Sequence, residues 1–279
     1  MCTAPVNKIL PYSVVDGPGN RAAIFLQKCN IRCAYCHNPE TQTLCRNCGD
    51  CLSVCPTGAL RVRGGLVQWE SSLCCGCDAC IRRCPHNASP KVIEMTPTEV
   101  FGKVRESLPF IRGITVSGGE CSLYPAFLRE LFILARRENL TCLMDSNGTV
   151  DLSRYPDLTA VCDGVMLDVK AWNAEVFRSL TGSGNEIVKK NLRFLSGIGK
   201  LTELRVVCLP DLVDAQDCIC GIAQTLGQGV AEQIPLKLIR FRHFGVRGAL
   251  SDCPSPDMPY MQSLQTLAKQ LGFRNVRIL

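Results

Sequence analysis

The chain has 279 residues, of which 46% are apolar and 20% are charged, and its formal net charge is +6. This composition can bury a core and excludes wholesale disorder, and no stretch is apolar over the roughly 18 to 20 residues of a membrane span. The Lys and Arg residues are scattered, so we expect neither a nucleic-acid nor a membrane partner. The first ten residues lack the layout of a signal peptide, and we expect a cytoplasmic protein.

Twenty cysteines are the dominant feature, and most of them fall between Cys29 and Cys84. Disulfide scaffolds of this cysteine density are normally short and secreted, so clustered thiols in a chain of this length indicate metal ligands. Eight others are scattered, and we expect them to be small buried hydrophobic residues. These eight are Cys2, Cys121, Cys142, Cys162, Cys208, Cys218, Cys220 and Cys253.

The first part of the chain, residues 1–38, contains a tight turn at Asp16-Gly17-Pro18-Gly19. An apolar run follows, Ala22 to Leu26, which predicts a short buried strand that leads to Cys29. Residues 39–92 are rich in Cys and Pro and have little hydrophobic periodicity. Such a segment cannot fold on hydrophobic burial alone, so we expect metal to form its core.

Strands alternate with amphipathic helices over residues 93–279, which predicts a parallel sheet with helical crossovers, either barrel-like or doubly wound. The predicted strands are Ile111–Val116, Leu140–Met144, Gly164–Val169, Leu201–Leu209 and Leu236–Phe241. The predicted helices are Pro125–Glu138, Ala174–Leu180, Glu186–Ser196 and one more before Leu236, and Met258–Leu271 with Val276–Leu279 close the chain.

Ligands of such sheets lie at the carboxyl ends of the strands. Five chemically active side chains lie at or just past the ends of predicted strands, and we expect them to converge on one face of the molecule. They are Cys29, Ser117, Asp145, Asp168 and His243.

A compact loop after the first predicted strand carries Cys29, Cys33 and Cys36 in the spacing Cys-x3-Cys-x2-Cys. Three thiolates on a cubane 4Fe-4S cluster leave one iron open to a substrate or cofactor. The alternatives are a fourth ligand from elsewhere in the chain, or a zinc site with a distant residue. Tyr35 within the loop and His37 just after it favour the open cluster.

Two further runs have the Cys-x2-Cys-x2-Cys-x3-Cys-Pro spacing of bacterial ferredoxins, in which the fourth Cys of each run binds the other cluster. The first predicted ligand set is Cys45, Cys48, Cys51 and Cys84, and the second is Cys74, Cys77, Cys80 and Cys55. Each cluster then has four thiolates and no open iron, so it can pass electrons or support the fold without binding substrate. Cys75 does not fit the spacing and is left over.

The Cys29 loop, combined with the turn Ser117-Gly118-Gly119-Glu120 at the end of the next strand, resembles the radical S-adenosylmethionine (SAM) enzymes. Within them the chain is similar to the glycyl-radical-enzyme activating enzymes, and most of all to the YjjW-type activases. The motifs that carry this resemblance are Asp16-Gly17-Pro18-Gly19, Cys36-His37-Asn38, Asp145-Ser146-Asn147-Gly148, Met166-Leu167-Asp168-Val169-Lys170, Arg205 and Arg240-Phe241-Arg242-His243-Phe244-Gly245. The chain departs from the family at Asn20, where Ile is usual, and at Cys121, where Pro or Ala is common.

The resemblance implies an α/β fold: a partial (β/α)6 radical SAM barrel built from residues 1–38 and 93–279, with a two-cluster ferredoxin-like α+β domain inserted at residues 39–92. It implies an oxidoreductase of the EC 1.97.1 type that cleaves SAM reductively to a 5′-deoxyadenosyl radical. This radical takes a hydrogen atom from a backbone glycine and so activates a partner glycyl radical enzyme. The alternative is a radical SAM enzyme that acts on a small molecule, with the ferredoxin clusters as an electron relay.

The implied cofactors are SAM and three 4Fe-4S clusters, the first of them on Cys29, Cys33 and Cys36, and the implied setting is anaerobic. The implied partners are a glycyl radical enzyme and a low-potential electron donor such as flavodoxin or ferredoxin. The residues implied to contact SAM are Tyr35, Cys36, His37, Asn38, Gly118, Gly119, Glu120, Asp145, Asp168, Val169, Lys170, Arg205 and His243. A monovalent cation would be held by Asp145, the Met166 carbonyl and Asp168.

Overall fold

Apolar strand residues assemble into one large mixed sheet in the computed structural model, which describes residues 2–279. The strands are β1 Ala4–Ser13, β2 Arg21–Leu26, β3 Leu60–Arg63, β4 Leu66–Trp69, β5 Ile93–Met95, β6 Gly113–Gly118, β7 Thr141–Ser146, β8 Gly164–Asp168, β9 Leu201–Cys208, β10 Leu236–Arg240 and β11 Val276–Ile278. The helices are α1 Ala79–Arg83, α2 Pro97–Arg105, α3 Pro125–Arg137, α4 Pro156–Val161, α5 Ala174–Thr181, α6 Glu186–Gly197, α7 Ala215–Leu226, α8 Gln228–Ala231 and α9 Met258–Gln270.

The large sheet has the strand order β11-β10-β9-β8-β7-β6-β2-β1-β5, and β3 pairs with β4 in a separate hairpin. From β2 to β11 all neighbouring strands are parallel, whereas β1 is antiparallel to both β2 and β5. Helical crossovers connect the parallel strands, as the alternating pattern predicted. The order is linear, so the sheet is open and has edges at β11 and β5 among the described residues.

The predicted strands and helices of residues 93–279 are all present, with ends that differ by a few residues. The elements that were not predicted are β1, β5, the β3–β4 hairpin, α1, α2, α4 and one of the two helices α7 and α8, where a single helix was expected. β1 contains Pro5, Asn7 and Lys8, which interrupt its apolar pattern. The start of α2 does carry a signal in the sequence, because Thr96 and Glu99 form a capping box with Pro97 at the first helical position.

Alternate residues of the parallel strands share the face of the sheet that we call the inner face, which carries Ser117, Asp145, Asp168 and Arg205. The strand register confirms the shared face, since Asp168 is paired with Arg205 across β8 and β9. The intervening residues, such as Leu167 and Leu204, are fully buried in the main hydrophobic core. Charged side chains are therefore concentrated on one face and the core lies on the other.

The amino-terminal end of the inner face is closed by the turn before β2. Asp16 accepts a hydrogen bond from Thr115 of β6 through its carbonyl oxygen, and Gly17 lies against Leu143 of β7. Arg21 is 1% exposed and donates to carbonyl and hydroxyl oxygens, including Ile114 O (2.7 Å) and Thr115 Oγ1 (2.8 Å). Burial without a carboxylate partner lowers the pKa of Arg21 to about 10. The turn thus lies at the opposite end of the sheet from Cys29.

Residues 39–92, the Cys-rich segment, contain only the short elements β3, β4 and α1. Their separate buried cluster consists of Cys51, Leu60 and Cys80. The segment is joined to the rest of the molecule through Gln27, which donates to the Thr43 carbonyl (2.6 Å), and through Arg247, which donates to the carbonyls of Cys84 (2.9 Å) and Ile81 (2.6 Å). Across residues 2–279, no helix combines the length and apolar character that a membrane crossing requires.

Candidate active site

A cavity of about 210 Å³ lies on the inner face at the carboxyl ends of the parallel strands. Four of the five residues expected to converge there line it: Cys29, Ser117, Asp145 and Asp168. The fifth, His243, is exposed in the segment after β10 and is not part of the lining. The other implied SAM contacts that line the cavity are Cys33, Tyr35, Cys36, His37, Asn38, Gly118, Gly119, Lys170 and Arg205.

The Cys29 loop, residues 29–36, is fixed by backbone hydrogen bonds. Cys29 N–H donates to Gln42 O (2.9 Å), while Arg32 and Ala34 donate to the carbonyls of Thr181 and Leu180 at the end of α5 (2.9 and 2.8 Å). Burial raises the pKa of the Cys29 thiol to about 12 and that of Cys33 to about 11. These thiols are protonated near neutral pH, so each must release a proton when it binds a metal.

Two aromatic side chains form part of the same wall. The hydroxyl of Tyr35, a buried residue, lies 3.4 Å from the Lys170 carbonyl. The Nε2 atom of His37 is buried and has no hydrogen-bond partner among the described residues. Burial lowers the pKa of His37, so its imidazole is neutral near pH 7. An unpartnered buried nitrogen beside a cavity indicates a place where a ligand can complete the hydrogen bonding.

The glycine turn after β6 approaches the end of β2 more closely than a side chain would allow. Gly119 N–H donates to Leu26 O (2.9 Å), and a Cβ on Gly119 would overlap the Lys28 carbonyl. Gly118 has φ +115°, a conformation that favours glycine, and a Cβ there would overlap the backbone of Leu26. The turn therefore brings bare backbone to the cavity beside the Cys29 loop.

Charged side chains cross the inner face as a series of pairs. Asp145 Oδ2 lies 2.9 Å from Arg205 Nη1 and accepts from Ser117 Oγ at 2.9 Å. Asp168 Oδ2 lies 2.9 Å from Lys170 Nζ, which is the ion pair that the two-residue spacing at a strand end allows. The two acids and two bases balance one another within the cavity wall.

The surroundings of Asp145 disfavour the ionised form of its carboxyl group. Burial raises the pKa of Asp145, and the neighbouring Asp168 raises it further, while Arg205 opposes both effects. For Lys170, burial alone would lower the pKa, but Asp168 and the Cys33 thiol hold it well above its usual range. Lys170 is therefore a firmly charged cation, placed between the Cys29 loop and the acids of the inner face.

Four implied site residues lie outside the cavity lining: Glu120, Met166, Val169 and His243. Glu120 is fully buried and accepts hydrogen bonds from Ser146 Oγ (2.9 Å) and Asn147 N–H (2.7 Å), so it ties the turn after β6 to the turn after β7. Val169 is buried and its N–H donates to the Arg205 carbonyl. The side chains of these two residues support the wall from behind.

Asn147 and Gln42 are among the lining residues that were not predicted as site residues from the sequence. Asn147 donates through Nδ2 toward Cys29 Sγ (3.6 Å) and to Asn30 Oδ1 (3.1 Å). Gln42 lines the cavity, and its Oε1 accepts from Asn87 Nδ2 at 3.0 Å. Asn147 stands in a strand-end motif and could have been found by its position, whereas the contacts of Gln42 depend on how the Cys-rich segment folds back.

The Cys-rich segment forms two small clefts. The first cleft is lined by Cys45, Cys48, Cys51 and Cys84, together with Pro85 and His86. The second cleft is lined by Cys55, Cys74, Cys77 and Cys80, together with Cys75 and Trp69. Trp69 Nε1 is buried without a hydrogen-bond partner in the described part of the chain. Each cleft contains one of the two sets of four thiols that the ferredoxin spacing predicts.

The scattered cysteines mostly follow expectation. Five of the eight are buried: Cys121, Cys142, Cys162, Cys208 and Cys218. Cys2 and Cys253 are partly buried, and the expectation of burial was wrong for Cys220, which is exposed on α7. Cys220 occupies a solvent-facing position of an amphipathic helix, and scatter along the sequence does not reveal which face of a helix a residue takes.

Comparison with known proteins gives the family. The model of the radical SAM superfamily matches residues 23–217, which span the Cys29 loop, the glycine turn and the ion pairs of the inner face. The chain belongs to the radical SAM superfamily. Within it, the chain belongs with the enzymes that activate glycyl radical enzymes, because relatives that are named as activating enzymes, one of them for a glycyl-radical enzyme, match most of its length.

Two such relatives are the pyruvate formate-lyase-activating enzyme of Streptococcus mutans and the isethionate sulfite-lyase activating enzyme of Nitratidesulfovibrio vulgaris. The first is 31% identical over 80% of this chain and 72% of its own length, and the second is 32% identical over 81% of each. A Haemophilus influenzae protein, named as a candidate glycyl-radical enzyme activating enzyme, is 28% identical over 98% of this chain and 95% of its own.

Solved structures show the same fold. QueE of Escherichia coli superposes with a TM-score of 0.55 at 12% identity, covering 99% of this chain and 94% of its own. A domain of the pyruvate-formate lyase-activating enzyme of Bacteroides vulgatus superposes with a TM-score of 0.50 at 18% identity, covering 60% of this chain and 98% of the domain. The mixed sheet with its α/β crossovers is therefore the radical SAM fold.

Membership of the superfamily implies a 4Fe-4S cluster and SAM, and the cavity fits both. Three thiols from one loop line its wall, and the neighbouring side chains leave no fourth thiol in the lining, so one coordination position stays free for a ligand. The unpartnered His37 Nε2, the bare backbone at Gly119 and the charged pair Lys170 and Arg205 provide partners for a polar, zwitterionic cofactor.

Proposed function

We propose that this protein activates a partner glycyl radical enzyme by removing a hydrogen atom from one backbone glycine of that partner. The observation that carries the proposal is the cavity itself. It joins an incomplete three-thiol set to a glycine turn and to balanced acids and bases, at the carboxyl ends of the parallel strands. The relatives named for glycyl-radical enzymes match four fifths of the chain and support the same conclusion.

In this proposal Cys29, Cys33 and Cys36 hold the 4Fe-4S cluster as thiolates. When bound, the cluster and SAM supply a one-electron reductive cleavage of a carbon–sulfur bond that yields a 5′-deoxyadenosyl radical. Hydrogen bonds from the loop backbone to Gln42, Leu180 and Thr181 keep the three thiols in a fixed frame. Asn147 donates toward Cys29 Sγ and would stabilise its thiolate form.

The chain's remaining cavity residues orient SAM. The Gly119 backbone would contact the methionyl group, and Lys170 and Arg205 provide positive charge for its carboxylate. Asp168 lies on the same wall and would contact the ribose. His243 is exposed and outside the lining, so among the implied contacts it has the weakest support from the geometry.

The same proposal assigns residues 39–92 as an inserted two-cluster ferredoxin-like domain, with residues 1–38 and 93–279 forming a partial (β/α)6 barrel. Two observations support it: the two clefts each gather one predicted set of four thiols, and the hydrophobic cluster of this segment is too small to hold it together. The first set is Cys45, Cys48, Cys51 and Cys84. The second set is Cys74, Cys77, Cys80 and Cys55.

The insert reaches the active site through Gln42, which lines the cavity. Asn87, three residues after Cys84, donates to Gln42 and so connects the first cleft to this residue. This contact supports a relay in which a low-potential donor such as flavodoxin or ferredoxin reduces the insert, and the insert reduces the cavity cluster. Reduced clusters and carbon radicals react with oxygen, so the function requires an anaerobic, reducing setting such as the cytoplasm of an anaerobe.

A monovalent cation at Asp145, Asp168 and the Met166 carbonyl is the last element of the proposal. The repulsion between the two carboxylates, which raises the pKa of Asp145, supports a cation between them. Arg205 and Lys170 already pair with these acids, so the cation would add to an existing balance. SAM affinity measured with and without potassium tests this, and an unchanged dissociation constant would remove the cation from the site.

The test of the proposed function is anaerobic. The protein is reconstituted with iron and sulfide, reduced, mixed with SAM, and assayed for 5′-deoxyadenosine with and without a glycyl radical enzyme. We expect roughly twelve irons per chain, four for each cluster, cleavage of SAM, and a glycyl doublet in the EPR spectrum that depends on the partner. Cleavage without a doublet on any glycyl radical enzyme from the same genome would instead indicate a small-molecule substrate.

A further inference from the structure

Two charged residues on the inner face lie next to the cavity but outside its lining: Glu203 on β9 and Lys237 on β10. Their side chains are 9% and 14% exposed, and Glu203 Oε2 lies 2.9 Å from Lys237 Nζ. The other oxygen, Oε1, accepts a 2.7 Å hydrogen bond from Nε of Arg205. Buried charges cost free energy unless they are paired, so both oxygens of Glu203 are committed.

Arg205 uses only part of its hydrogen-bonding capacity within the protein. Its Nε–H donates to Glu203, one Nη1–H donates to Asp145 at 2.9 Å, and Nη2 faces the Met166 thioether at 3.1 Å. A thioether is a weak acceptor, and a guanidinium has five N–H groups. Within residues 2–279, the Nη edge of Arg205 thus keeps donors without a strong acceptor, and Arg205 lines the cavity.

We propose that Glu203 is a positioning residue, which fixes the Nε edge of Arg205 so that the Nη edge faces the carboxylate of SAM. The inference rests on the proposed function, because it needs SAM in the cavity. Without Glu203, Arg205 would turn toward Asp145, its other carboxylate partner, and form a bidentate pair there. The guanidinium would then donate its hydrogen bonds to Asp145, and it would no longer be available to the carboxylate of SAM.

Lys237 completes the arrangement. It binds the oxygen of Glu203 that Arg205 does not use, so that oxygen is not available for a second bond to the guanidinium. Lys237 is paired with Arg205 in the register of β9 and β10, so the two cations lie side by side with Glu203 between them. Removing Glu203 alone would leave two buried cations facing each other.

The test compares SAM with decarboxylated SAM, which lacks only the carboxylate that Arg205 is inferred to bind. Glu203→Gln keeps the shape of the side chain and removes its charge. Dissociation constants are measured anaerobically on the reconstituted, oxidised protein, which binds SAM without cleaving it. We expect affinity for SAM to fall about 10-fold and affinity for decarboxylated SAM to change less than about 2-fold, as the loss of one charge-assisted contact predicts.

A second variant separates positioning from charge balance and folding. Glu203→Gln combined with Lys237→Gln removes one negative and one positive charge, so the net charge of the inner face is the same as in the parent. If Glu203 only balances charge, this double variant recovers the SAM affinity of the parent. If Glu203 positions Arg205, the loss persists. Glu232→Gln is the matched control, because it removes a carboxylate of the exposed pair with Arg274, far from the cavity.

The outcomes are distinct. A parent protein that does not bind SAM overturns the proposed function and this inference together. A parent that binds SAM, with a Glu203→Gln variant of equal affinity, overturns this inference alone. Equal losses for SAM and decarboxylated SAM, or recovery in the double variant, show that Glu203 supports the fold or the charge balance. A loss confined to SAM that persists in the double variant establishes the positioning role.

Discussion

The cavity holds its three thiols on a loop whose backbone is bonded to α5 and to Gln42, against a sheet with a large apolar core. The Cys-rich segment holds nine thiols in two clefts, with a buried cluster of only Cys51, Leu60 and Cys80. Burial raises the thiol pKa of Cys29 to about 12, whereas Cys48 and Cys77 are exposed. The first region has an apolar core of its own beside its thiols, and the second has almost none.

The contrast shows two ways to make an iron–sulfur site. A folded wall can present fewer thiols than the cluster needs and leave an iron for chemistry, because the wall does not need the cluster to fold. Under the proposed assignment, a segment without a core would satisfy each of its clusters with four thiolates, because the clusters would be its core. Reactivity and structural support would then belong to different parts of one chain.

The largest expected effect is at the cavity. Cys33→Ala removes one of the three thiols that line it, so we expect SAM cleavage to disappear, with a loss of about four irons per chain. Cys75→Ala is the matched control, since Cys75 is an exposed thiol with no assigned ligand role, and its variant should cleave SAM like the parent. The measurement is 5′-deoxyadenosine formed with excess dithionite. Cleavage by Cys33→Ala would remove the open cluster from this loop.

Iron removal should separate the two regions structurally. After chelation under reducing conditions, we expect amides of residues 39–92 to lose protection from hydrogen exchange, because their own core is too small. Strands β6 to β9 should keep their protection, since they are buried in the main core. Exchange read by mass spectrometry reports both. Equal loss in the two regions would mean that the α/β part also needs metal in order to fold.

A smaller effect is expected from the insert on the chemistry itself. Cys48→Ala removes one thiol of the first cleft and leaves the cavity lining intact. With dithionite as a direct reductant, we expect the single-turnover rate of SAM cleavage to stay within about 3-fold of the parent; with a protein donor it should fall further. Complete loss with dithionite, while the cavity cluster remains in the EPR spectrum, would show that the relay is obligatory.

The smallest expected effect is a loss of stability at alkaline pH. Burial raises the pKa of the Cys162 and Cys208 thiols to about 12, from an ordinary value of 9.0 for a free thiol. A raised pKa in the folded state gives stability that is complete below pH 9 and is lost as the pH rises toward 12. We expect the free energy of unfolding of the α/β part to fall by about 1 kcal/mol per thiol at pH 10. Anaerobic urea titrations at pH 8 and 10 measure this.

The control for alkali is Cys162→Ala with Cys208→Ala, which replaces two buried thiols by small apolar groups that do not ionise. Its unfolding free energy should depend less on pH than that of the parent between pH 8 and 10. An identical pH dependence would assign the effect to other groups, of which Tyr124, with a pKa raised by burial to about 12, is the next to examine.

The sequence predicted the parallel strands because runs such as Gly164–Leu167 are continuously apolar, which is how strands buried on both faces appear. Spacing alone predicted which cysteines share a cleft, since ferredoxin runs fix their ligands over short distances. β1 was not predicted because Pro5 and Asn7 interrupt its apolar pattern. Its pairing with β5 joins residues about ninety positions apart in the sequence.

The parts of the site that the sequence missed depend on register. Glu203 and Lys237 are unremarkable polar residues within two strands until the alignment of β9 with β10 brings them together beside Arg205. Glu120 was expected in the cavity from its motif, but it turns back to accept from Ser146 and Asn147. His243 follows a strand as expected, yet its side chain lies outside the lining. The local sequence pattern predicts where a residue lies along the backbone, whereas the direction of its side chain depends on tertiary packing.

The closed amino-terminal end of the inner face limits how molecules can enter the cavity. Arg21 and the Asp16–Gly19 turn fill that end through contacts with Ile114, Thr115 and Leu143. Neither SAM nor the glycine of a partner can therefore enter the cavity through this end, and both are left with its remaining sides.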